Sequence, residues 1–193
     1  MLSAAKGERP FDSILLLLLG LSVSINIWQA VRPTAVASAA AEPRPGIAVG
    51  AGAPAVKGQT LDGRPVSVTA TAGGSLTLYV YSPDCSWCAR NAPNISALAT
   101  GRKSGTRLVG VCLGTTTTCQ APAAGFDDTI IPAPETYAGY KLGVTPQTIV
   151  VVNDRVDKIW SGAYSPLISS EIESYFGAKL PGLAPSPAPT KPS

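Results

Sequence analysis

The sequence predicts an α/β domain, a mixed β-sheet covered by helices on both faces, preceded by one transmembrane helix. Three observations carry this. Residues 11–31 form a predominantly apolar run, and about 20 such residues span a bilayer. Between residues 47 and 180, short β-rich apolar runs alternate with segments of helical length, the pattern of strands with helices packed on them. The chain has 193 residues, enough for one ordinary domain with appendages.

At the N-terminus, Lys6 and Arg9 precede the apolar run and favour a cytoplasmic segment 1–10 with the anchor at 11–31. Leu15–Leu19 is continuously apolar, and Trp28 stands where an interfacial aromatic is useful. A cleaved signal peptide is the alternative, because Ala37-Ser38-Ala39 has the small-x-small form of a cleavage site. That site lies well past the apolar run, beyond Arg32 and Pro33, and the run is long for a signal peptide, so an uncleaved anchor is favoured. Either way the remainder falls on the extracytoplasmic, periplasmic side of an inner or plasma membrane. Residues 32–46, rich in Ala, Pro and Gly, read as a flexible linker. Residues 181–193, with five prolines, read as a disordered tail.

Within the domain, Leu76–Tyr81 reads as a buried strand, broken by Ser82-Pro83-Asp84. Residues 86–100 read as a helix with Ile95 and Leu98 on one face, and Arg107–Leu113 as a second strand. Residues 114–134 hold five threonines, three prolines and two glycines and are expected to be mostly loop. A short helix over 135–142 follows. Then come a strand over 148–152, a turn at Asn153-Asp154, a strand over 156–161 and a closing helix over 166–176 with proline at its start.

The composition excludes several chemistries. The chain has no histidine, so Ser-His and Cys-His nucleophiles and His-ligated metals are out. The net charge is +3 without a basic run, which gives nucleic acid no footprint. The four cysteines are Cys85, Cys88, Cys112 and Cys119. The second pair has six residues between its members, a poor match to paired zinc knuckles.

Cys85-Ser86-Trp87-Cys88 stands at a strand–helix junction. A cysteine there meets the positive end of the helix macrodipole and unpaired N–H groups, which favour thiolate. The expected cycle starts with attack of Cys85 on a substrate disulfide; Cys88 then resolves the mixed disulfide. It needs no cofactor and no bound metal. A structural disulfide or half of a metal knuckle is the bland alternative. Asn94-Ile95-Ser96 fits a glycosylation pattern by chance, inside the helix.

The segment Tyr81-Ser-Pro-Asp-Cys-Ser-Trp-Cys-Ala-Arg-Asn-Ala-Pro93 resembles the active-site segment of the thioredoxin-like family, in particular the membrane-anchored TlpA/ResA type. Pro93, five residues after the second cysteine, matches the position where this family kinks its helix. Gly143-Val-Thr-Pro-Gln-Thr148 is similar to its cis-proline loop, and Ala53-Pro54 with Leu61-Asp62-Gly63 and Val66 to its N-terminal β-hairpin extension. The resemblance implies a thioredoxin-like fold over 47–180. It also implies protein-disulfide oxidoreductase activity with reduction favoured, for example in cytochrome c maturation, a protein thiol or disulfide substrate, and an upstream membrane electron donor. It implies a cis peptide at Thr145-Pro146 facing the sulfurs, with Thr145, Pro146 and an exposed Trp87 meeting the substrate.

The sequence departs from the family at two carboxylates. Asn91 stands three residues after Cys88 where many relatives have glutamate, and Tyr79 stands six before Cys85 where thioredoxins have aspartate. Asp84 reads as a turn residue or helix cap; Glu135 and Arg90 are further candidates to approach the thiols. Cys112 and Cys119 have two readings, a structural disulfide or a relay to the first pair. A peroxiredoxin-like peroxidase is a rival function, weakened by Leu78 at its required proline position. A non-catalytic scaffold or metal-delivery module is another, weakened by the missing histidine.

Overall fold

The structure is a computed structural model that describes residues 18–22, 47–70 and 72–186. The chain divides into two units, Met1–Arg44 and Pro45–Ser193. In the first, residues 18–22 are helical with Leu18, Leu19 and Leu21 exposed. The rest of the expected anchor 11–31, residues 1–10, the linker 32–46 and residues 187–193 lie outside the described residues. Among the described residues no helix is long and apolar enough to cross a membrane.

The second unit contains strands β1 (Val56–Thr60), β2 (Pro65–Val68), β3 (Ser75–Tyr81), β4 (Thr106–Cys112), β5 (Asp128–Pro132), β6 (Gln147–Val152) and β7 (Arg155–Ser161). Its helices are α1 (Ser86–Gly101), α2 (Pro134–Tyr140) and α3 (Pro166–Phe176). The seven strands form one sheet in the order β2-β1-β5-β4-β3-β6-β7. β3 runs parallel to β4 and antiparallel to β6, so the sheet is mixed, as expected.

The pleat of β3 divides the core. Leu76, Leu78 and Val80 join Val109, Val111, Ile149 and Tyr140 on one face. Tyr79 and Tyr81 point to the other, among Ile95 and Leu98 of α1 and Ile172 and Phe176 of α3. Alternation with period two is what a strand buried on both faces provides. Asn153 and Asp154 both have positive φ, 50° and 57°, the geometry of the two-residue hairpin turn that joins β6 to β7.

The structure adds one strand and corrects the tail. Residues 114–134 are mostly loop, as expected, yet Asp128–Pro132 forms a further strand, β5, parallel to β4 and antiparallel to β1. Prolines 132 and 134 and the preceding Thr- and Gly-rich stretch hid a strand whose apolar run is only Ile130-Ile131. Its neighbour β1 accepts it at Gly58, where a Cβ would lie 2.1 Å from the Ile131 carbonyl oxygen. The tail is also ordered at its start. Residues 181–186 pack on α1: the Gly182 N–H donates to Asn94 Oδ1 at 2.9 Å and the Ala184 N–H to the Arg90 carbonyl at 2.8 Å.

Candidate active site

β3 ends at Tyr81 and α1 begins at Ser86, so the two cysteines sit at the carboxyl end of a central strand and the amino end of a helix. Cys85 is the N-cap residue of α1, and its Sγ accepts the Cys88 N–H at 3.0 Å. The cap is therefore the sulfur itself, not Asp84. First-turn N–H groups have no intrahelical acceptor, and a sulfur that takes one of them is stabilised most when charged. No acidic residue occupies the first turn to offset this.

The two sulfurs form a disulfide with S–S 2.05 Å. They are not equivalent. Cys85 is half-buried, whereas Cys88 is buried, with 1% of its surface accessible. A cavity of about 270 Å³ opens beside them, lined by Pro83, Cys85, Cys88, Thr118, Gln120 and Pro122 among others. The Thr145–Pro146 peptide is cis. Thr145 Oγ1 lies 3.4 Å from Ser82 Oγ, which brings this loop against the segment leading into Cys85. Trp87 is 51% exposed between the cysteines, and Val144 is 40% exposed in the cis-proline loop.

Cys112 and Cys119 form a second disulfide, S–S 2.01 Å, with accessibilities of 0% and 4%. Cys112 pairs with Tyr81 across β3–β4, and the Tyr81 hydroxyl donates to the Gln120 carbonyl at 2.9 Å. This bridge and this hydrogen bond hold the wall of the cavity beside the first pair.

The missing carboxylates acquire a physical account. Asn91 is fully buried. Its Nδ2 donates to the Tyr79 hydroxyl at 3.3 Å, while its Oδ1 accepts from Asn94 Nδ2 at 2.9 Å and from the Tyr164 N–H at 3.1 Å. Asn91 and Tyr79, the two positions where the resemblance implies acids, are used here to tie α1 to β3 and to the loop before α3. Burial pushes the Tyr79 hydroxyl up to about 12, so it cannot accept a thiol proton near neutrality. Glu135 lies at the start of α2 and lines a different cavity, with Lys57 and Ser67. Leu78, where a peroxiredoxin-like motif needs proline, is buried mid-strand.

Sequence reasoning missed the role of Asn91. Its signal was present: 88, 91, 95 and 98 follow helical spacing, which puts Asn91 on the buried stripe with Ile95 and Leu98. The Arg90 guanidinium carbon stands 4.4 Å from the centre of the Trp87 ring.

No protein-family profile and no curated protein matches the chain. Solved structures do. The thioredoxin domain of a thiol-disulfide oxidoreductase from Bacteroides vulgatus is 18% identical over 67% of this chain and 99% of its own, with TM-score 0.51. A Chlorobium tepidum protein named as thiol:disulfide interchange protein DsbE is 20% identical over 66% and 94%, with TM-score 0.54. A Bacteroides thetaiotaomicron protein named as a protein disulfide isomerase is 15% identical over 67% and 88%, with TM-score 0.50. At these identities the likeness concerns architecture, and it agrees with the mixed sheet, the strand–C-x-x-C–helix junction and the cis-proline loop: the unit Pro45–Ser193 has the thioredoxin-like fold.

Proposed function

We propose that this protein is a thiol–disulfide oxidoreductase that works through Cys85 and Cys88. The observation that carries the reading is the asymmetry of the pair. Cys85 is reachable and its sulfur caps a helix N-terminus, while Cys88 is buried one turn further on.

The chemistry follows. With the pair reduced, the Cys85 thiolate attacks one sulfur of a substrate disulfide. One substrate sulfur leaves as thiolate, and a mixed disulfide forms. Cys88 loses its proton to water and attacks Cys85 Sγ. The Cys85–Cys88 disulfide closes, and the second substrate sulfur departs with the electron pair. Two electrons pass to the substrate; two protons complete its thiols. An upstream dithiol donor must then reduce the pair again, and a membrane protein on the same side would suit an anchored chain.

The substrate is an exported protein disulfide, with the haem-binding cysteines of apocytochrome c as one candidate class. Residues 11–31 anchor the chain as a single pass, with 1–10 cytoplasmic and the 47–180 domain tethered outside by 32–46. Lys6 and Arg9 support that orientation, and so does the Cys112–Cys119 bridge, since persistent disulfides belong to oxidising compartments. That bridge is structural in this reading, because both its sulfurs are sealed from solvent. Trp87, Thr145 and Pro146 receive the substrate chain. The names of the Bacteroides and Chlorobium neighbours support the same reaction class.

The test is insulin reduction by the purified full chain with dithiothreitol as donor. The native protein is expected to accelerate precipitation of the insulin B chain, and Cys85→Ser to return the rate to the uncatalysed level. Retained catalysis in Cys85→Ser would overturn the assignment.

A further inference from the structure

The stretch after α3 runs back along α1 toward the dithiol. Ala178 packs against Gly101, where a glycine Cβ would come within 2.9 Å of the alanine Cβ. Gly182 meets Asn94, and Ala184 meets Arg90. As the stretch advances from 178 to 184, its partners retreat from 101 to 90. The lengths agree: eleven helical steps cover about 16 Å and six extended steps about 19 Å.

Apolar packing holds only the start of the stretch, where Ala178 is buried and Leu180 packs on the core; beyond it Leu183 and Ala184 are only half-buried and their neighbours exposed. The hold is polar. The Ala184 N–H donates to the Arg90 carbonyl at 2.8 Å. Arg90 Nε donates back to the Ala184 carbonyl at 3.0 Å. Asn94 Oδ1, on a fully buried side chain, takes the Gly182 N–H.

Arg90 is therefore fixed at one edge by this strap, and its plane lies over Trp87. A guanidinium has five donors in a rigid fork. Arg90 uses Nε on the strap, and its Nη groups take no acceptor among the described residues. What results, in the first turns of the helix that Cys85 caps, is an indole covered by a cation whose Nη donors are open among the described residues.

We infer that residues 180–186 are a specificity strap. By clamping Arg90 over Trp87 they present a cation to the incoming chain and select disulfide peptides with an acidic side chain next to the reacting cysteine. Arg90 is a positioning residue in this scheme; the sulfur chemistry belongs to Cys85. The inference rests on the proposed role of Cys85 and Cys88.

The test compares two disulfide-linked peptides that differ only in Glu or Gln beside the cysteine. The native chain is expected to show a KM about two- to five-fold lower for the Glu peptide, the range of an exposed charge pair. Arg90→Gln removes the preference. Ala184→Pro, which deletes the strap's N–H to Arg90 and stiffens the strap backbone, reduces it toward one. A merely structural role would impair both peptides equally, and an unchanged Glu/Gln ratio in Arg90→Gln or Ala184→Pro overturns the strap. Acrylamide quenching of tryptophan fluorescence reads the clamp without turnover. Ala184→Pro is expected to increase quenching, and the increase to vanish when Trp87→Phe is added. If the native chain turned over neither peptide, the dithiol reading would fall, and the quenching comparison would still decide the clamp.

Discussion

Asn91 shows how one side chain can trade chemistry for structure. It stands three residues after Cys88 on the buried face of α1, and each of its polar side-chain atoms is spent on internal hydrogen bonds. Replacing it with leucine keeps the branched shape in a larger side chain and strands the Tyr164 N–H and the Asn94 amide. A buried unpaired donor costs about 1–3 kcal/mol, so Asn91→Leu is expected to lower unfolding free energy by about 2–4 kcal/mol in urea titrations. A loss below about 0.5 kcal/mol would mean that the network contributes nothing. The cysteine pair was legible because its chemistry lies in four consecutive residues. The asparagine network was not, because its partners come from residues 79, 94 and 164, which only the fold brings together.

The same distinction holds for the elements. β3, α1, β6, β7 and α3 stand within two residues of where periodicity and turn chemistry place them. Each carries its own signal, such as the Leu76–Tyr81 run or the Asn153-Asp154 turn. β5 carries almost none. It is a strand because β4 and the Gly58 backbone accept it on either side, a tertiary cause that no local window contains. The strap after α3 was hidden for the same reason, since its bonds go to Arg90 and Asn94 of α1, about 90 residues earlier in the chain. The segment 113–127 is held by Cys112–Cys119, by the Tyr81 bond to Gln120, and at its far end by Arg102, which donates to the Gly125 carbonyl and pairs with Asp127 at 2.7 Å. A bridge across so short a loop is worth about 2–3 kcal/mol by chain entropy. The double variant Cys112→Ser, Cys119→Ser is therefore expected to melt several degrees lower while it still reduces insulin. Loss of turnover in a variant that remains folded at the assay temperature would turn this bridge from a staple into a relay.

At the scale of the whole molecule, burial leaves a mark on titration. All six tyrosines have hydroxyls pushed above the usual value. Tyr79, Tyr81 and Tyr140 reach about 12, chiefly through desolvation. A proton held more tightly in the folded state contributes stability that is complete below the unfolded value near 10 and is lost as pH rises toward 12. The absorbance of ionised tyrosine at about 295 nm is thus expected to stay low through pH 10 in native protein and to rise with unfolding above it. A midpoint near 10 for all six would contradict the packing of both core faces. The sheet, its two cores and the placement of the cysteine pair form one consistent frame, with the half-buried Cys85 at its edge and the buried Cys88 inside.

The central claim is that Cys85 alone makes the covalent link to substrate. It is tested most directly by trapping: reduced Cys88→Ser protein is mixed with a disulfide-linked peptide, quenched with acid and mapped by mass spectrometry. The account predicts one peptide per chain, attached at Cys85, with the Cys112–Cys119 bridge intact. An adduct at Cys112 or Cys119, or no adduct while Cys85 is free, would contradict it.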